Sequence, residues 1–338
     1  MTERVIYMPE LSVAVLLVIG LGLAFGYLNG FHDSANIVAT MIASRALSGR
    51  QALAITAVAE SVGPFVFGVA VANTIGNEVL DVKAINVSVI LAALGAAVLW
   101  NLFTWWLGIP SSSSHALVGG LVGAAVVGNG FEVVKLLGLG KVLLALVISP
   151  PLGFFVGYRV MKLVLYLVRN AHPDINYFFK RIQIVTAVTL ALAHGTNDAQ
   201  KTMGVITMGL VAAGALPTFQ VPMWVIVISA AAIALGTWFG GWRLIRTLGG
   251  KFYKIRPIHG FTTQISSAAV ILGAALLGGP VSTTQVVSSA IMGVGSAERV
   301  SKVRWGVAGQ IVTAWVTTIP VAALLAAGIA LVLRQAGY

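Results

Sequence analysis

The sequence contains no cysteine, which removes disulfide cross-links, thiolate metal ligands and a thiol nucleophile. It is also short of charge. Of 338 residues only 10 are acidic and 21 are Lys or Arg, so charged side chains make up 9% against 58% hydrophobic ones. That balance, with a mean hydropathy of +0.95, excludes a soluble globular domain of this length. No Gly-Lys-Ser/Thr phosphate loop occurs, so ATP is not expected as the energy source. The alternating polar and apolar segments of a spanning barrel are missing too. What is present is apolar sequence in long stretches. Leu11 to His32, Ser61 to Asn77, Ala84 to Phe131, Val142 to Tyr158, Thr202 to Trp242, Pro257 to Ala297 and Trp305 to Leu333 contain no Lys, Arg, Asp or Glu. At about 20 residues per crossing they predict an all-α polytopic membrane protein of about 10–12 membrane segments.

The net charge of +11 comes largely from two clusters between apolar runs. Arg159, Lys162, Arg169, Lys180 and Arg181 form one, and Arg243, Arg246, Lys251, Lys254 and Arg256 the other. The positive-inside rule accounts for both and places them in the cytoplasm, so membrane lipid is expected as a partner and nucleic acid is not. The first apolar run lacks a basic start and a small-residue cleavage site, and reads as a retained span behind an interfacial tail of residues 1–10. Gln51 to Thr74 reads as a span broken at Gly63-Pro64, and Gly76 to Lys83 as a surface loop. The expected location is the cell (inner) membrane, with multiple crossings.

A short polar stretch occurs twice in apolar surroundings: Gly30-Phe31-His32-Asp33-Ser34-Ala35-Asn36 and Gly195-Thr196-Asn197-Asp198-Ala199-Gln200-Lys201. A carboxylate within the bilayer costs about 2.5–3.5 kcal/mol on insertion scales, so it needs a partner, water or a cation. Asp33 and Asn36 are three residues apart, as are Asp198 and Lys201, which puts each pair on one helix face. A proline-led hydroxyl run follows each copy, Pro110-Ser111-Ser112-Ser113-Ser114-His115 and Pro280-Val281-Ser282-Thr283-Thr284. Asp33 precedes Pro110 by 77 residues and Asp198 precedes Pro280 by 82. Two motifs in one order at nearly one spacing indicate internal duplication, with residues 1–168 as the first repeat, 169–181 as a short cytoplasmic connector and 182–338 as the second repeat.

Proline with hydroxyls behind it marks a helix start, here inside apolar sequence. Such an end presents unsatisfied N–H groups and about half a positive charge. Two of them, bordered by Ser112, Ser113, Ser114, Ser282, Thr283 and Thr284, suit a tetrahedral oxyanion, and Lys201 adds a full charge. Asp33 and Asp198 repel an anion unless a cation lies between or the anion carries its own proton. Carboxylates with the amide oxygens of Asn36 and Asn197 can hold a hard cation. Phosphate keeps an O–H at neutral pH and sulfate does not, so the combination favours phosphate moving with a cation or proton. His32 and His115 adjoin the motifs and are candidate proton carriers. Glu60 has no counterpart in the second half, and both a structural and a proton-relay role stay open. Hydroxyls also pack helices, and Asp198 with Lys201 can equally be a structural ion pair. The duplication favours a site.

At these residues the sequence resembles the inorganic phosphate transporter (PiT) family, with its duplicated Gly-Ala-Asn-Asp motif. The resemblance spans essentially the whole chain and includes Asn29 to Asn36, Pro110 to His115, His194 to Lys201, Gly241-Trp242-Arg243 and Pro280 to Thr284. It implies two inverted repeats with broken or re-entrant helices, and substrate held between the Asp motifs and the Ser/Thr runs. His32 replaces the usual Asn, as in the bacterial low-affinity proton-linked branch, which is thought to take phosphate as a neutral complex with a divalent metal. Gln264 and Gln285 stand where the family often has an acidic residue and a His, which removes a sodium ligand.

The expected activity is import of inorganic phosphate by cation-coupled symport, with protons as the coupling ion and a metal–phosphate complex as one form of the cargo. Asp33, Asn36, Ser112, Ser113, Ser114, Asn197, Asp198, Lys201, Ser282, Thr283 and Thr284 would bind substrate. His32, Asp33, Glu60, His115 and Asp198 would couple it to the proton or cation, and Asp33 and Asp198 would hold any metal. No resident cofactor and no catalytic residue are expected, only a transported ion: H+, Na+ or a divalent metal with phosphate. A homo-oligomer is compatible with this. The alternatives are a sulfate permease of the same family, a sodium-coupled phosphate symporter, an intramembrane phosphotransferase using the Ser and His residues, and a channel.

Overall fold

The structure is a computed structural model that describes residues 12–81 and 85–337, so the expected tail at residues 1–10 lies outside the described residues. Among the described residues twelve α-helices build the fold and no strand occurs. The first six are α1 (Val13–Ala43), α2 (Gly49–Phe67), α3 (Ala70–Glu78), α4 (Val87–Leu107), α5 (Ser113–Asn129) and α6 (Leu136–Leu167). The second six are α7 (Ile175–Ala212), α8 (Met223–Phe239), α9 (Trp242–Gly250), α10 (Pro257–Leu276), α11 (Thr283–Glu298) and α12 (Trp305–Gln335).

The two sets follow one pattern. Each opens with a long helix that runs unbroken through its Asp motif, α1 with 31 residues and α7 with 38. A bent pair follows, α2–α3 at 72° and α8–α9 at 69°. Then come a helix of 21 or 20 residues, a short buried one of 17 or 16, and a long outer one of 32 or 31. The connector is shorter than expected, because residues 175–181 already form the start of α7.

Local chemistry explains the breaks. Ser48 and Gln51 make a reciprocal cap at the start of α2. Pro64 is accommodated inside α2, and the break falls instead at Gly68, whose φ of 79° ends the helix. The expectation of a break at Gly63-Pro64 is therefore corrected by four residues. Gly76 to Glu78 are helical and not loop, because Val71, Ala72, Ile75 and Gly76 bury one face of α3. Residues 82–84 of that expected loop lie outside the described residues.

Among the described residues four helices, α1, α4, α6 and α12, are each long and apolar enough to cross a membrane, or up to six spans if each bent pair counts as one. The short α5 and α11 are surrounded by protein: Gly123 packs on the Ala323 backbone of α12, and Gly153 of α6 on the Val286 backbone of α11. This is a polytopic helical membrane protein whose polar centre is lined by helices that other helices shield from lipid.

The two halves are also interleaved. α1 packs backbone to backbone on α8, where a Cβ at Gly30 would strike the Ile233 carbonyl. Reciprocally, α7 packs on α2, where a Cβ at Gly195 would lie 2.7 Å from Glu60 Cα. Only glycine permits either approach, so each motif helix is seated on the bent pair of the other half.

Candidate functional site

The site is built where the middles of α1 and α7 meet the start of α11. The chain leaves α10 through Gly278 at φ 73°, passes Pro280 and re-enters helix after Ser282, whose Oγ accepts from Gln285 N at 3.4 Å. α4 and α5 are joined the same way, through Gly108 at φ 69°, Pro110 and Ser112, which accepts from His115 N at 3.2 Å. Both proline-led runs are helix starts, as their sequence predicts, and both are buried.

The second run reaches the carboxylates. Thr283 Oγ1 donates within 2.9 Å of Asp198 Oδ2 and 3.4 Å of Asp33 Oδ2. Thr284 Oγ1 donates to Asp33 Oδ1 at 2.7 Å and accepts from Asn36 Nδ2 at 3.1 Å. Asp33 and Asp198, 165 positions apart in sequence, thus share one hydroxyl, at 1% and 0% exposure. Lys201 forms an ion pair with Asp198 and donates to the Val281 carbonyl at 3.0 Å. The Asn197 side chain donates to the Gly279 carbonyl at 3.2 Å, and its own oxygen is unpaired.

The first run sits one layer further out. Ser113 donates to Asn29 Oδ1 at 2.7 Å and Ser114 to the Val281 carbonyl at 3.0 Å, so the two runs meet at Val281. Ser112 caps α5 and lies 2.7 Å from His115 Nδ1. His32 Nδ1 lies 3.0 Å from Asp33 Oδ1. The structure thus gathers Asp33, Asn36, Asp198, Lys201, Thr283 and Thr284 in direct contact, with His32 against Asp33, while His115 is held by Ser112. Gln264 bridges three helices, accepting from Thr186 at 2.7 Å and donating to Thr40 at 3.1 Å.

One residue at the centre escaped the sequence reading. His194 is fully buried, with Nε2 2.9 Å from Asp198 Oδ2 and 4.0 Å from Asp33 Oδ2. Its other nitrogen, Nδ1, lies 2.7 Å from Glu60 Oε1, and Glu60 also accepts from Thr237. His194 therefore joins α2 to both motif helices. Its spacing of four residues from Asp198 on a helix was the available signal. Glu60, whose role the sequence left open, is the outer end of this ladder. Ligand atoms of Asp33, His194 and Asp198 all lie within 4.8 Å of one another, a set suited to a cation, with the Lys201 ammonium competing for Asp198.

Chemically the arrangement combines two buried carboxylates, an ammonium, an imidazole and two threonine hydroxyls, and both hydroxyls donate to the carboxylates.

The sequence profile of the Phosphate transporter family matches residues 29–326. The chain belongs to that family. It is 43% identical to a probable low-affinity inorganic phosphate transporter of Bacillus subtilis (strain 168), over 95% of this chain and 97% of that one. It is 45% identical to a protein of the same description from Rhizobium meliloti (strain 1021), over 94% and 97%. Among solved structures it is similar to one described as the sodium-dependent phosphate transporter, with TM-score 0.87 and 27% identity over 96% of this chain and 100% of that one. The protein is a phosphate transporter and not an enzyme.

The contact of Thr283 with both carboxylates of this transporter gives a direct test. Thr283→Val keeps the shape and removes the shared hydroxyl. Hydrogen bonds to charged groups are worth about 1.5–3 kcal/mol, so the half-saturating phosphate concentration should rise about tenfold or more. An unchanged half-saturation in vesicle uptake would assign Thr283 to packing.

Proposed function

We propose that this phosphate transporter is a secondary active symporter that imports inorganic phosphate across the cell (inner) membrane together with protons. The observation that carries the reading is the buried ladder Glu60–His194–Asp198, with Asp33 alongside. An imidazole between carboxylates can pass a proton from one nitrogen to the other. His194 is faced by Glu60 from α2, Asp33 from α1 and Asp198 from its own helix, with Lys201 beyond Asp198. Bringing an anion against two buried carboxylates is prohibitive unless positive charge arrives with it, which links occupancy to a proton or cation. In this reading residues 1–168 and 182–338 act as two halves of opposite orientation around the site.

The convergence of Asp33, His194 and Asp198 supports a second form of cargo, phosphate carried with a divalent metal. Sodium as the coupling ion is favoured by the likeness to a sodium-dependent relative and disfavoured by the neutral Gln264. Uptake of labelled phosphate into proteoliposomes, with the pH gradient, sodium and magnesium varied separately, tests all three. The expected result is uptake above the equilibrium level only with the outside acidic, enhanced by magnesium and indifferent to sodium. Dependence on sodium at zero pH gradient would overturn the proton reading. Inhibition by sulfate but not by arsenate would overturn the choice of anion.

A further inference from the structure

The interleaved packing places two side chains of the binding motifs outside the site and in contact with the bent helices. The first four N–H groups of a helix have no partner within it. The N-cap residue of α3 is Val69 and that of α9 is Gly241, and neither makes a side-chain cap hydrogen bond. Gln200, two residues after Asp198, supplies the acceptor for α3: its Oε1 takes Val71 N at 2.7 Å and Ala72 N at 3.3 Å. Ser34, next to Asp33, does the same for α9: its Oγ takes Gly241 N at 3.0 Å and donates to the Phe31 carbonyl at 3.0 Å. Both side chains are fully buried.

The contacts are reciprocal. α7 of the second half holds α3 of the first, and α1 of the first half holds α9 of the second. Backbone contact reinforces each. A Cβ at Gly204 would sit 3.0 Å from the Ala72 carbonyl, and one at Gly241 would sit 2.6 Å from the Phe31 carbonyl. Neither bent helix can therefore shift without its aspartate-bearing partner or without breaking a buried hydrogen bond.

We propose that Gln200 and Ser34 are positioning residues that tie α3 and α9, as the two gates of the carrier, to the helix bearing a binding aspartate in the opposite half. α9 carries Arg243 and Arg246, with Lys251 and Lys254 just beyond, whereas α3 has no Lys or Arg. By the positive-inside rule α9 gates the cytoplasmic side and α3 the outer side. When substrate and its cation replace the Thr–Asp bonds, the motif helices readjust and each carries the opposite half's gate with it. One closed centre thereby controls two exits. The inference rests on the carrier reading above and adds to it how the site is coupled to access.

The absence of cysteine makes the test clean. Single reporters A72C in α3 and I245C in α9 occupy buried positions. Reaction of each with a maleimide in the purified protein reports opening of its own helix. Q200L should raise the labelling rate of A72C about tenfold, the factor one buried hydrogen bond supplies, and leave I245C within about twofold. S34A should do the reverse. S34T keeps its acceptor oxygen and should label like the parent. In uptake, Q200L should lower the maximal rate while half-saturation stays within about twofold, since the substrate contacts are intact. Equal change at both reporters, change at neither, or a loss of phosphate binding with unaltered labelling would overturn the proposal. Should Q200L not fold, Q200N withdraws the acceptor by one methylene and gives the same readout. Failure of the symport reading shows separately, as uptake by the reporter parent that ignores every cation gradient.

Discussion

Asp198→Asn should abolish phosphate uptake and also destabilise the protein, and the two effects should separate in a double variant. The substitution keeps the volume of the side chain and removes its charge. Lys201, fully buried and ion-paired with Asp198, is then left with the Val281 carbonyl as its remaining partner. Removing one member of a buried ion pair costs about 3–5 kcal/mol because the other charge stays uncompensated. That is a large share of the about 5–15 kcal/mol that holds a typical protein together. Asp198→Asn with Lys201→Met removes both charges, so thermal unfolding in detergent should return close to the parent. Uptake should not return, because Thr283 is left with Asp33, at 3.4 Å, as its one carboxylate acceptor and His194 loses its charged inner partner. Parental uptake by the double variant would show that the pair is structural and that the centre lies elsewhere.

His194→Gln should cut uptake driven by a pH gradient about a hundredfold, the lower range for losing a positioned proton carrier. Exchange of internal for external phosphate, which moves no net proton, should persist. Glutamine can bridge Glu60 and Asp198 by hydrogen bonds but cannot take up a proton and release it on the other side. Equal loss of exchange and of gradient-driven uptake would make His194 a packing residue. Retention of both would remove the ladder from the mechanism.

How much of this was legible beforehand varies by feature. The doubled Asp motif and the doubled proline-led hydroxyl run could be read directly, because a charge in apolar sequence and a proline before hydroxyls have local physical meanings. The helix starts at Ser113 and Thr283 follow from them. Spacing alone also carried the sign of His194, four residues from Asp198, although lone histidines in apolar helices are common as packed groups. Glu60 offered no such sign. Its partner comes from another helix, 134 positions away, and no local pattern encodes that. The break at Gly68 was masked by Gly63-Pro64, a stronger punctuation in water than inside a helical bundle, where neighbouring helices tolerate proline.

Composition and short motifs alone establish that the chain is helical and belongs in a membrane, and that an acidic motif and a proline-led hydroxyl run each occur twice in it. These are matters of composition and short-range order, which a chain carries before it folds. That Asp33 and Asp198 share one threonine, and that Lys201 pairs with Asp198, emerged only with the packed fold. It also decided that each motif helix grips the bent helices of the other half. Those outcomes depend on which glycine meets which carbonyl across helices far apart in sequence, and close packing is the force that selects them.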